Sequence, residues 1–161
     1  MKKTVVIEHV TVEIKSSFEH FTDQLEKALG IIMPSALLAL GAAPASMVRY
    51  LNNTGDENKL VIYNILSQED LRKKEQRNAK QYQLGNPEII GKMIGNHISA
   101  GLYLPIHLLV YENEQKKVIV EYDLLSSLCT QFNNAALLAD SITIDNNLTA
   151  LIQKADEAGN S

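Results

Sequence analysis

The chain has a single cysteine, Cys129, in 161 residues. No internal disulfide can form, and nothing points to an oxidising compartment. It also lacks a G-x-G-x-x-G run and a P-loop, so the common nucleotide grips have no backbone cradle here. No G-x-S-x-G elbow supports a nucleophilic serine. Of four histidines, His9, His20, His97 and His107, none pairs at the i, i+4 spacing of a helical metal site, and no Cys or carboxylate cluster completes one. No metal is therefore expected, and no residue pattern names a cofactor. A net charge of -4 gives nucleic acid no general attraction, since affinity for it comes mostly from Lys and Arg neutralising phosphates. The basic run Arg72, Lys73, Lys74, Arg77 and Lys80 has no interleaved aromatics on which bases would stack, and it reads as a solvated face.

Long apolar runs are scarce too. The start MKKTVVIEHVTVEIK opens on lysines, but Glu8, His9 and Glu13 interrupt the apolar stretch that a secretory signal needs. From Ala28 to Val48 there is no charge, close to the roughly 20 residues that cross a bilayer, yet Gly30, Pro34, Gly41 and Pro44 within it favour two short buried helices. No membrane span is expected, and a cytoplasmic location fits the cysteine usage.

What the chain does contain is a mixed pattern of helix and strand. Val10, Val12 and Ile14 alternate with polar residues as in a strand with one buried face. Ser16 and Glu19 have the spacing of a capping box ahead of a helix whose apolar stripe is Phe18, Phe21, Leu25, Ala28 and Leu29, ended by Gly30. Helical turns are expected from Pro34 to Leu51, closed by the turn Asn52-Asn53-Thr54-Gly55. Leu60 to Leu66 is apolar on both faces, the mark of a central strand. Gln68 to Lys80 reads as a polar helix or loop, and Gln81 to Leu84 as a brief strand. Tyr103–Tyr111 and Lys117–Tyr122 form a hairpin, followed by helical turns from Leu124 to Phe132. A closing amphipathic helix carries Leu137, Ile144, Leu148, Leu151 and Ala155. The sum is an α+β fold, residues 1–157 forming one domain with an antiparallel sheet and helices mainly on one face, and 158–161 a frayed tail.

Gly85-Asn86-Pro87 reads as a helix start. Asn86 is a favoured N-cap, Pro87 suits the first helical position, and Glu88 complements the positive end of the helix dipole while repelling a phosphate that would bind there. Ser126, Ser127 and Cys129 follow Asp123, a natural N-cap, and the serines are expected to bond backbone rather than to act chemically. His107 stands out because it lies in a strand otherwise made of Leu, Ile, Pro and Val. By alternation it shares a face with Tyr103 and Tyr111. A hairpin loop of even length adds Tyr122 to that face, whereas an odd one places Glu121 and Asp123 there. The set can form a core, with His107 bonded to a tyrosine, or a pocket whose polar tips orient a small ligand.

Gly85-Asn86-Pro87, Gly101-Leu102-Tyr103-Leu104-Pro105, Val110-Tyr111-Glu112 and Tyr122-Asp123-Leu124-Leu125-Ser126-Ser127 occur in that order. With the closing helix they resemble the family called domain of unknown function 302, from about Tyr82 to the C-terminus. The resemblance implies a small α+β fold, a curved antiparallel sheet and homodimers, and it supplies no activity. Many members carry an Asp-His pair where this chain has Tyr63-Asn64, and a proline where it has Leu125, which implies a less rigid turn here. The expectation is a homodimeric, small-molecule-binding or accessory domain, with Tyr103, His107, Tyr111, Tyr122 and Glu121 as the candidate set for a small apolar ligand. Two alternatives stand beside it: an enzyme using His107 as general base with Glu121 or Tyr122 orienting it, and a purely structural dimerisation module.

Overall fold

The computed structural model describes residues 2–31, 60–67 and 77–158. The helical turns expected from Pro34 to Leu51, the turn at 52–55, most of the polar stretch 68–80 and the tail 159–161 lie outside these residues. Within them the strands are β1 (His9–Ile14), β2 (Gly30–Ile31), β3 (Val61–Ser67), β4 (Ala79–Gly85), β5 (Ile106–Glu112) and β6 (Val118–Asp123). The helices are α1 (Phe18–Ala28), α2 (Pro87–Asn96), α3 (Leu125–Cys129) and α4 (Ala135–Ala158), with short 3-10 turns at Ile98–Tyr103 and Thr130–Phe132.

The sheet order is β1-β6-β5-β4-β3-β2. From β1 to β3 all neighbours are antiparallel, and β2 adds a two-residue parallel pairing to β3. Alternation divides the strands. Ile106, Leu108, Val110, Val118, Val120, Tyr122, Tyr82 and Leu84 belong to one buried cluster with Phe18, Phe21 and Leu25 of α1 and Leu137, Ile144, Leu148 and Ile152 of α4. Each large apolar side chain removed from water in this way contributes about 1.5–3 kcal/mol. The fold is thus the expected α+β arrangement, with helices mainly on one sheet face and the other face turned away from that core.

Local signals account for most element ends. The Asn86 side chain accepts from the backbone N–H groups of Glu88 and Ile89, both at 3.0 Å, with Pro87 opening α2. Gly85 is there for space. A Cβ at that position would lie 2.3 Å from Ile90 Cδ1, the end of a flexible side chain, so the bare glycine lets Ile90 of α2 rest against β4 without turning aside. The β5–β6 loop is built on Asn113, whose side chain accepts from Gln115 N and Lys117 N at 3.0 Å each, an Asx turn. Asn134 likewise opens α4 by accepting from Leu137 N at 3.0 Å.

Three expectations need correction. The cap of α1 is Ser17, which accepts from His20 N, and not a Ser16–Glu19 box; Ser16 Oγ is buried without a partner. β3 is central only at its start: Val61 and Ile62 are buried between β4 and β2, while Ile65 and Leu66 are 37% and 44% exposed and, among the described residues, paired on one side alone. Asp123 does not cap α3. Leu124 holds the cap position, with no side-chain bond to offer, and the buried Asp145 of α4 supplies the missing acceptors: Leu125 N donates to Oδ1 and Ser126 N to Oδ2, both at 2.9 Å. Leu125 is fully buried and uses its N–H in this bond.

Candidate functional site

The loop joining β5 to β6 covers residues 113–117, because Glu112 pairs with Val118. Its odd length decides the composition of the outer sheet face. Side chains on alternate strand positions share a face, so His107, Leu109 and Tyr111 of β5 meet Ile119, Glu121 and Asp123 of β6, and Gln81 and Gln83 of β4. His9, Thr11 and Glu13 of β1 extend the same face beyond β6.

Two groups of hydrogen bonds cross this surface. The Tyr111 hydroxyl donates to Glu121 Oε1 at 2.9 Å, and burial, reinforced by that carboxylate, holds its pKa above the usual phenol value. Glu121 Oε2 lies 4.0 Å from His9 Nε2, and His9 Nδ1 lies 2.7 Å from Asp123 Oδ1. A row Tyr111–Glu121–His9–Asp123 therefore runs over three strands. Beside it, Gln83 Nε2 lies 3.1 Å from His107 Nε2. An amide nitrogen is a donor, so the ring nitrogen accepts and the opposite nitrogen, Nδ1, carries the proton. Leu109 sits between His107 and Tyr111 as a half-buried apolar floor.

The five candidate ligand residues are not all gathered here. His107, Tyr111 and Glu121 share the outer face. Tyr122 points the other way, 5% exposed in the core, where its hydroxyl lies 3.3 Å from Thr149 Oγ1 of α4. Tyr103 precedes β5 in the 3-10 turn and accepts from Gln131 Nε2 at 3.0 Å, its ring 6.2 Å from that of Phe132. His107 is exposed, so it is not the core histidine bonded to tyrosine that its apolar neighbours suggested. The odd loop brings Asp123 to this face, as the hairpin alternation allowed, whereas the sequence reading missed His9 and Gln83 as members of it. Their alternation was legible, but nothing local says that β1 lies against β6 and β4 against β5.

Other chemistry is elsewhere. Tyr82 is fully buried, donates to Glu26 Oε1 at 2.8 Å, and has its pKa pushed up by burial and by that carboxylate. Lys80 reaches the same oxygen at 3.0 Å. This pair borders a polar groove of about 360 Å³ between α1 and β4, lined by Glu19, Asp23 and Glu26. A second groove, of about 510 Å³, lies around Glu13, Lys15, Glu112 and Lys117. Cys129 is buried, and burial raises its thiol pKa, the reverse of what a nucleophile needs. Among the described residues no three His, Cys, Asp or Glu side chains come together to hold a metal ion. Nor is any helix among them long and apolar enough to cross a membrane.

Comparison with known proteins agrees with this architecture. The crystal structure of an uncharacterized conserved protein DUF302 from Bacillus stearothermophilus superimposes with a TM-score of 0.65, covering 91% of this chain and 97% of the other at 15% identity. That likeness is one of fold. No curated protein matches the chain. The family model described as domain of unknown function DUF302 matches residues 54–155, which contain the Gly-Asn-Pro helix start, both strands of the hairpin and most of α4. The chain belongs to the DUF302 family.

Proposed function

We propose that the chain is a small-molecule-binding or accessory domain, cytoplasmic and homodimeric, whose ligand lies on the outer sheet face. The observation that supports this reading is the alternation along β5: His107 and Tyr111 flank Leu109, with Glu121 opposite. Side chains two apart on a strand stand about 7 Å from each other. The surface therefore suits a ligand with an apolar body over Leu109 and polar edges toward His107 and the Tyr111–Glu121 pair. The Nδ1–H of His107 is left as a donor, and the second lone pairs of the Glu121 carboxylate as acceptors. An apolar molecule with a few polar atoms fits this pattern better than a wholly polar one.

The geometry favours binding over acid-base catalysis. A histidine base is normally oriented by a carboxylate so that the free nitrogen takes a proton. Here the hydrogen bond of His107 is to the amide of Gln83, and it occupies Nε2. Tyr122, once a possible orienting partner, is in the core on the far side of the sheet.

A thermal-shift screen with lipids, quinones and haem tests this reading. A true ligand raises Tm in the wild type, by an amount that follows its concentration relative to Kd. Replacing both His107→Gln and Tyr111→Phe should abolish most of the shift. A ligand that stabilises the double variant as well as the wild type contradicts the placement.

A further inference from the structure

We propose that β1 is the contact through which two copies of the chain associate, the two β1 strands pairing antiparallel about a two-fold axis at Thr11 and joining the two sheets into one. This deepens the homodimer reading above and rests on it. β1 ends the sheet, and among the described residues no strand pairs with its far side. Exposed edges of this kind are templates for another strand, and proteins that stay monomeric blunt them with proline, bulges, short length or charged side chains. β1 has no proline and no bulge, and its one acid, Glu13, is paired with Lys117. Its register against β6 is unbroken over six residues, and its sequence, HVTVEI, contains no proline.

The direction of each backbone group follows from the ladder. Leu124 N donates to Glu8 O at 2.9 Å, so the even-numbered residues of β1 face β6. At the hairpin end Asn113 N donates to Lys117 O at 2.9 Å, so the odd-numbered residues of β6 face β5, leaving its even ones for β1, as the first bond requires. His9, Thr11 and Glu13 thus aim their N–H and C=O groups outward. At Lys15 the outward N–H is already bonded to Asp156 Oδ1 at 2.9 Å, which closes the free ladder at that end.

One register uses all three outward residues. With Thr11 opposite Thr11 of the second copy, His9 falls opposite Glu13 and Glu13 opposite His9, while Val10 meets Val12 on the inner face. Shifting by one step in either direction leaves an outward residue without a match. The charges agree with this register. Asp123 lies beside His9 in one copy, and Lys117 Nζ lies 2.7 Å from Glu13 Oε1 in the other. Across the joined sheet the order becomes Asp123, His9, Glu13, Lys117, with each acid next to a base or imidazole. An imidazole N–H facing a carboxylate across the strands suits such a pair, whereas two like charges directly opposite would oppose it. The contact is self-complementary, as a two-fold interface must be.

Sedimentation of the full chain over a dilution series, together with two variants, tests this. The wild type should sediment at twice the chain's 17.9 kDa. Thr11→Pro removes an outward N–H that the β6 ladder does not use, so it should keep the circular dichroism of the fold while shifting the mass to that of a single chain. Thr11→Cys should give a disulfide between the two residues 11 on mild oxidation, because directly opposed hydrogen-bonded residues have Cα atoms about 5.5 Å apart, within the ~4.4–6.8 Å disulfide range. If Thr11→Pro remains dimeric and Thr11→Cys does not cross-link, the contact lies elsewhere, and the homodimer reading survives without this one. A wild type with single-chain mass at every concentration overturns both.

Discussion

Replacing Asp145 should be among the most damaging polar substitutions in the described part of the chain. α3 is five residues long, too short to hold itself, and its N-cap Leu124 has no side-chain acceptor. Asp145, 7% exposed on α4, accepts from both Leu125 N and Ser126 N at 2.9 Å. Asp145→Ala leaves two backbone donors without partners, the first fully inside. A hydrogen bond to a charged group contributes about 1.5–3 kcal/mol, and a buried donor left unsatisfied costs about 1–3 kcal/mol. Water reaching the half-buried Ser126 side offsets part of this, so the expected loss is about 3 kcal/mol. For a chain of this length that is a fall in Tm of about 6–12 °C. Urea unfolding followed by circular dichroism reads the free energy, and the midpoint should drop without a change in slope. Asp123→Ala is the control. It removes only a half-exposed pair with His9 and should cost about 1 kcal/mol or less. A loss below about 0.5 kcal/mol for Asp145→Ala, or a larger one for Asp123→Ala, would refute the assignment of the cap to α4.

Other expectations are equally direct. Gly85→Ala should destabilise by about 1 kcal/mol, the low end of overpacking, because the Ile90 side-chain end must swing aside, and Ile90→Val, which removes the clashing Cδ1, should recover part of that loss in the double variant; equal urea midpoints for Gly85→Ala and wild type would contradict the close approach. Burial lifts the pKa of Tyr63 to about 12 and pushes that of Tyr82 higher still, helped by Glu26. Stability from the protonated phenols is fully present below the ordinary value of about 10 and is lost as pH rises through that window. Absorbance of tyrosinate should therefore show these two ionising only as the chain unfolds in alkali, and normal titration of all six tyrosines near pH 10 would contradict it. At the acid end, the Asn78 N–H and Lys116 hold the Glu112 carboxyl below its usual range. That contribution is present above the unfolded value and lost as pH falls through the lowered one, so Glu112→Gln should reduce the acid sensitivity of the urea midpoint.

Much of this fold was legible because its signals are local. The alternation of Val10, Val12 and Ile14, the Asn86-Pro87 start of α2 and the apolar stripe of α4 each specify an element within a few residues, and the structure realises them through the interactions their side chains favour. What was not legible depends on contacts distant in sequence. Asp123 looks like a cap by position, yet it is drawn to His9, 114 residues away, while Asp145 reaches back over 20 residues to do the capping. LVIYNIL has the apolar character of a central strand, yet among the described residues only its first two residues are paired on both sides, since strand order is a property of the whole topology. For the site, alternation grouped His107 with Tyr111, and the parity of the hairpin loop then decided between Glu121 and Tyr122. Five residues in the loop place Glu121 on the face, and Tyr122 is lost to the core.

Nuclear magnetic resonance mapping of a ligand found by thermal shift would test the central claim most directly, since it reports location without depending on activity. Titration should move the backbone amides of Gln83, His107, Leu109, Tyr111 and Glu121 together, with one saturation curve, and leave Glu19, Asp23 and Glu26 of the α1 groove unmoved. Shifts confined to that groove, with the β5 face unchanged at saturation, would contradict the outer sheet face as the binding surface.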